Sequence, residues 1–223
     1  MIDTFLEDFT QHFKLTGTNY HVHYYIMNGR HVLFDPKSCD PCISKGKQQC
    51  DESSYKQIFI LEAKSDVFCV DIEDFLNQFV GTKADSQSKC DLLLYGGTKV
   101  SFIDMYCGQD KFVLPYDTTH MDGRVEHKIG KLATVRKQII SSINKLCEVP
   151  KIKQVLQSFK DKEGLFAYRS KTTHVENSFQ EESIERSINI FIKAAEVASS
   201  DLHTLLTYGF VFKTVLYPEV YVW

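Results

Sequence analysis

The chain lacks an excess of charge of either sign: 26 Lys and Arg stand against 29 Asp and Glu, for a formal net charge of −3. General, sequence-independent coating of nucleic acid is therefore not expected, although a local basic patch is compatible with a neutral whole. It also lacks a long apolar run. None approaches the ~18 residues of a membrane span, and the opening residues MIDTFLEDFTQHF carry acids where a secretory signal has a basic region. A soluble, cytoplasmic protein without a membrane partner is the expectation. Internal repeats and low-complexity tracts are missing too.

A disulfide framework is also lacking. The cysteine count of seven is odd, and the residues are scattered as Cys39, Cys42, Cys50, Cys69, Cys90, Cys107 and Cys147, which fits a reducing compartment. Cys39-x2-Cys42 followed by Cys50 is the first half of a zinc knuckle, and thiolates so spaced can share one tetrahedral ion. The second half is absent, because no CxxC or HxxxH follows. His31, Cys69 or Cys90 are the candidates for a fourth ligand, and spacing selects none of them. Free thiols in a loop are the plainer reading, with structural zinc as its rival.

What is present is enough apolar material for one substantial core. A chain of 223 residues that is 43% hydrophobic and 13% aromatic can fold as a single domain. The organising stretch is 89–108, KCDLLLYGGTKVSFIDMYCG. It reads as a β-hairpin in which Asp91 opens the first strand, Gly96-Gly97 supplies the turn and Asp104 nearly ends the second strand.

Before this hairpin, Ile2, Phe5, Leu6, Phe9 and Phe13 recur at helical spacing. Residues 20–25 alternate as a strand, and Asn28-Gly29 predicts a turn into a second strand over 30–34, completing a first hairpin. His21 and His23 fall on one face, as metal ligands can, though solvent-facing strand histidines are the commoner case. Residues 35–54 read as a polar loop, 57–63 and 67–71 as two strands, and 72–80 as a strand end or short helix.

After the hairpin, 109–123 is irregular, and apolar spacing from Val125 to Leu146 predicts a helix over about 124–147. A second helix over 151–159, a buried strand at 165–168, a loop at 172–179 and a helix at 181–199 follow. The aromatic stretch 205–223 reads as one or two terminal strands, with Pro218 at an edge or break.

The order of helix, strands, Asp-bearing hairpin, long helix and strand resembles the core of the PD-(D/E)XK superfamily, the restriction-endonuclease-like phosphodiesterases. The resemblance covers roughly 89–170. In that family an Asp begins one strand, and Glu-x-Lys or Asp-x-Lys ends the next. Asp91 falls on the first acid and Asp104-Met105-Tyr106 on the triplet, so Tyr106 stands where the family has lysine. The resemblance implies an α/β fold, a mixed central β-sheet flanked by helices. Residues 1–88 form an N-terminal helix and β-rich elaboration, 89–171 the nuclease-like core, and 172–223 a C-terminal helix and strands.

Paired carboxylates of this kind bind Mg2+ or Mn2+, which polarises a phosphodiester and acidifies a water, while the lysine orients that water and stabilises developing charge. Tyr106 supplies no positive charge at neutral pH. A competing site is Asp51 with Glu62 and Lys64, since Leu61-Glu62-Ala63-Lys64 is a literal Glu-x-Lys; its upstream residues do not read as an apolar strand, and the later hairpin is favoured.

Three functions follow. The first is a degenerate nuclease-like protein that binds a partner protein or nucleic acid, as an accessory subunit of a bacterial defence or mobile-element system. The second is an active metal-dependent nuclease using Asp91 and Asp104, with a lysine moved in from Lys89, Lys99 or Lys111, and with Arg136, Lys137 or Gln138 on the long helix near the site. The third is a protein-interaction module docking through aromatic residues 208–223. Tyr106 favours the first.

Overall fold

The computed structural model describes residues 2–34, 57–79, 88–170 and 200–223. Among these, a mixed seven-stranded sheet carries the fold. Its strands are β1 (Tyr24–Phe34), β2 (Gln57–Asp71), β3 (Leu92–Gly96), β4 (Lys99–Gly108), β7 (Asp161–Ser170), β8 (Val211–Leu216) and β9 (Val220–Val222). The first four are antiparallel neighbours in chain order; β7 then lies parallel to β4 and β8 parallel to β7, while β9 adds to β2 in parallel. A separate two-stranded ribbon joins β5 (Tyr116–Thr119) to β6 (Val125–Lys128).

The helices are α1 (Ile2–Phe13), α2 (Ile72–Asn77), α3 (Gly130–Cys147), α4 (Pro150–Ser158) and α5 (Ser200–Thr207). All five contribute to one core cluster, through side chains such as Phe5, Phe9, Phe75, Ile139, Ile152 and Leu205, which meet Leu93, Val100, Phe102 and Phe166 of the sheet. Burying a Phe or Leu there is worth about 1.5–3 kcal/mol. The opposite sheet face, with Leu94, Ile103, Met105, Leu165 and Ala167, packs with β2 side chains from Ile58 to Cys69 and with Tyr221 of β9. Arg169 and Tyr217 reach across to Gln57, which closes that side.

Several sequence expectations are corrected. Asn28-Gly29 does not reverse the chain. Gly29 takes a positive φ of 82° inside β1, and the pairing with β2 shifts register between Met27 and Gly29, so a glycine that also suits a hairpin turn forms a bulge. The stretches 57–63 and 67–71 are one strand, β2, whose exposed Lys64, Ser65 and Asp66 run opposite that bulge. In the organising hairpin the turn is Gly97-Thr98, because Gly96 is still paired with Lys99.

The long helix begins at Gly130 rather than near Arg124. Val125 belongs to β6, where ladder bonds to β5 override its helical spacing to Ile129. The expected terminal strands are preceded by helix, since α5 runs to Thr207. The expected loops at 35–54 and 172–179 and the helix at 181–199 lie outside the described residues. No described helix is long and apolar enough to cross a membrane.

Candidate active site

The β3–β4 register pairs Leu92 with Ile103, so the next step along the hairpin sets Asp91 opposite Asp104. Asp91 precedes the first residue of β3, and its Oδ2 accepts a 2.6 Å hydrogen bond from the Met105 backbone N–H. On β4, Ile103 and Met105 enter the sheet's outer cluster, whereas Phe102 and Tyr106 pack with the helices. Alternation therefore sends Asp104 to the helix side, where it is buried with 1% of its surface exposed.

Facing Asp104 is the first turn of α3. Lys131 Nζ lies 3.0 Å from Asp104 Oδ1 and 5.5 Å from the centroid of the Tyr106 ring. That ring stacks on Tyr168 of the parallel neighbour β7, at 5.8 Å between centroids. The Tyr168 hydroxyl donates to Asp110, and burial together with that carboxylate raises the phenol above its ordinary range. Gly108 leaves room for the Tyr106 ring in this position, since a Cβ there would sit 2.2 Å from Tyr106 Cζ and its hydroxyl and the ring would have to move.

Two features place Lys131. Gly130 has a φ of +80°, and a Cβ on it would fall 2.4 Å from the Leu114 carbonyl carbon; glycine lets α3 start against that backbone, and Leu132 N–H donates to Val113 O. Further along α3, Gln138 Oε1 accepts from Lys131 Nζ at 3.3 Å while its Nε2 donates to Lys89 O at 3.1 Å.

The same helix also holds the approach to Asp91. Lys89 Nζ donates to Ser141 Oγ at 2.7 Å, and Cys90 N–H donates to Ser142 Oγ at 3.1 Å. Burial pushes the Cys90 thiol well above its ordinary value; the Asp104 and Asp91 charges push the same way, against the Ser142 hydrogen bond. A groove of about 410 Å³ borders this face of α3, lined by Ser88, Thr134, Lys137, Gln138, Ser141 and Asp201 among others.

The structure thus sets Asp91 and Asp104 across the hairpin from each other, with Lys131 near both Asp104 and Tyr106 and Gln138 beside Lys131. Lys99 stands at the far end of the hairpin, paired with Glu163, and Lys111 lies over Phe112. Lys137 is exposed; Arg136 is buried with its guanidinium over Phe212. Sequence reasoning missed Lys131, Ser141 and Ser142. Spacing by seven and four residues puts Lys131, Gln138 and Ser142 on one helix stripe, which groups them with one another but does not tie any of them to Asp104.

The alternative pair, Glu62 and Lys64, is exposed in the interior of β2, and its third member Asp51 lies outside the described residues. Cys39, Cys42 and Cys50 lie outside them too. Of the fourth-ligand candidates, Cys69 and Cys90 are core thiols and His31 Nε2 sits 3.0 Å from Asn28 O. The aromatic C-terminus is largely interior, with Phe210, Phe212 and Tyr221 buried.

An all-oxygen pair of carboxylates suits a hard divalent ion of the Mg2+ or Mn2+ kind better than zinc. Comparison of the chain with protein-family models, with curated proteins and with solved structures gives no match.

Proposed function

We propose that this chain is a divalent-metal-dependent phosphodiesterase of the nuclease-like kind, in which Asp91 and Asp104 hold Mg2+ or Mn2+ and Lys131 supplies the positive charge that Tyr106 cannot. One observation carries the reading: Lys131 Nζ stands 3.0 Å from Asp104 Oδ1, delivered by the helix after the hairpin rather than by the hairpin itself. An ammonium beside Asp104 supports the active reading over a site that lacks the cation. The order of α1, strands, Asp-bearing hairpin, α3 and parallel β7 supports the superfamily reading as well.

The ion, when bound, would polarise the phosphodiester and lower the pKa of an attacking water. The chain's own residues do the rest. Asp91 is aimed by the Met105 N–H, Lys131 is positioned by Gln138 to meet the charge that develops on the phosphate, and the Tyr106–Tyr168 stack walls the site.

The test is cleavage of labelled single- and double-stranded DNA and RNA with Mg2+ or Mn2+, comparing wild type, Asp91→Ala and Lys131→Ala purified identically. Asp91→Ala should abolish cleavage, and Lys131→Ala should slow it by about 10²–10³-fold, the usual loss on removing one charge-stabilising donor. No cutting by the wild type, or equal cutting by all three, overturns the proposal.

A second reading, a degenerate site in a binding or accessory subunit, draws on the closure of the site. Asp104 is almost wholly buried beside Lys131, and Asp91 is already tied to the backbone. Absence of Mn2+ binding heat in calorimetry, together with absent cleavage, would favour it and direct attention to a protein partner.

A further inference from the structure

Around Asp74 in the first turn of α2, two histidines and a carboxylate converge in a way that neither the fold nor the proposed phosphodiesterase uses. His21 and His23 lie on one face of the extended segment leading into β1, as their two-residue spacing requires. Their rings are 4.3 Å apart between centroids. His21 Nε2 is 3.3 Å and His23 Nδ1 3.2 Å from the same atom, Asp74 Oδ2. All three ligand atoms lie within 4.8 Å of one another.

We propose that His21, His23 and Asp74 form a binding site for a borderline transition-metal ion, with Zn2+ as the natural occupant and a water in the remaining position. Ligand atoms about 2.0–2.1 Å from a tetrahedral zinc stand roughly 3.3 Å from one another, which is the spacing of both nitrogens from Asp74 Oδ2. That oxygen is itself buried and accepts no hydrogen bond among the described residues. Two imidazole nitrogens stand within ion-pair distance of one carboxylate oxygen without hydrogen-bonding it, so three ligand atoms are close enough to share one cation. Two imidazoles and one carboxylate select zinc, copper, nickel or cobalt over magnesium or calcium.

The ligands are also held in advance. Gln78 clamps the His21 backbone from both sides: its Oε1 accepts from His21 N–H at 2.8 Å and its Nε2 donates to His21 O at 2.7 Å. His23 O accepts from Asp71 N–H at 3.1 Å, and Asp71 Oδ1 in turn accepts from Asp74 N–H at 2.8 Å, which sets the first turn of α2. Tyr20, next to His21, stacks on Phe79 at 4.7 Å. A metal here would fasten the segment after α1 onto α2.

Cobalt serves as the probe. The chelator-stripped full chain is titrated with Co2+, and visible ligand-field absorption is recorded for wild type, His21→Ala, His23→Ala and Gln78→Ala, each checked for a cooperative thermal transition. The component lost in the two histidine variants should carry no ultraviolet thiolate-to-cobalt charge transfer, which separates this site from any binding by Cys39, Cys42 and Cys50. Affinity should fall at least about tenfold in the histidine variants, and about 10–100-fold in Gln78→Ala, which releases the His21 backbone. Zn2+ should displace the cobalt, and Mg2+ in excess should not. A Co2+ spectrum that is absent, or unchanged in both histidine variants, overturns the proposal, and neither result depends on nuclease activity.

Discussion

Lys131 Nζ sits 3.0 Å from Asp104 Oδ1, with the Asp104 side chain 2% exposed and the Lys131 side chain 22% exposed. Such a pair is costly to break from one end, because the carboxylate left behind has little water to replace the ammonium. Lys131→Met should therefore lower the stability of the metal-free protein by about 1–3 kcal/mol, and Lys131→Met combined with Asp104→Asn should lose less than the sum of the two. Urea denaturation of the four proteins measures this coupling. The same substitution has a second, opposite signature: with the competing ammonium gone, Mn2+ should bind more tightly in calorimetry while cleavage falls. Additive stability losses together with unchanged Mn2+ affinity would separate Lys131 from the site.

Gly130 makes this placement of Lys131 feasible, and the claim can be tested against an internal control. Gly123 has nearly the same backbone angle, φ +79° against +80°, but nothing lies within 4 Å of a Cβ there, whereas at Gly130 the Leu114 backbone is 2.4 Å away. Gly123→Ala should cost about 1–2 kcal/mol for its left-handed backbone alone. Gly130→Ala must add displacement of the α3 start, so thermal denaturation should show a larger loss, and any cleavage should drop with it. Equal losses would show that the close approach to Leu114 does not matter.

Much of this was legible in the sequence, and what was not has identifiable causes. Phe5 and Phe9 declared the buried face of α1, and the run from Leu92 to Ile103 declared a hairpin, because both depend on local periodicity that the tertiary fold reinforces. Asn28-Gly29 misled because a positive-φ glycine serves a bulge as well as a turn, and only pairing with β2 decides between them. Val125 misled because a short exposed strand owes its existence to its partner rather than to its own pattern. The two carboxylates were readable from their strand positions. Lys131 was not, since no spacing rule along the chain connects β4 to a residue that reaches Asp104 only when α3 packs across the sheet.

Cysteine reactivity should follow burial. Desolvation, with a smaller contribution from the Asp71 charge, pushes the Cys69 thiol up to about 12, and burial pushes Cys90 well above its ordinary value. Thiolate is the reactive form, so both should resist iodoacetamide in the native protein at neutral pH and react on unfolding. Cys107, which is also buried, should behave alike. Mass spectrometry of peptides from native and urea-treated samples gives the answer site by site. Native labelling of Cys69 or Cys90 at the unfolded rate would contradict their packing against the sheet.

Glu163 provides the pH dependence. Its carboxylate stands between Lys99, at 3.2 Å, and Lys213, and accepts hydrogen bonds from the Tyr221 hydroxyl and, at 3.4 Å, from Ser101. Burial by itself would raise this carboxyl, but the hydrogen bonds from Lys213 and Tyr221 and the charges of Lys99 and Lys213 outweigh it, and the net shift is downward. A carboxyl whose folded pKa lies below its unfolded value binds fewer protons when folded. Its contribution to stability is complete above the unfolded value, roughly pH 4.3, and is lost as the pH falls through the lower folded value. Glu163→Gln removes the titration while keeping the shape. The stability gap between wild type and Glu163→Gln, measured by urea denaturation from about pH 7 down to about pH 3, should be level near neutrality and shrink below roughly pH 4.3. A gap that stays constant to the acid end would mean that Glu163 titrates alike in the folded and unfolded chains, and that Lys99, Lys213 and Tyr221 do no more than offset its burial.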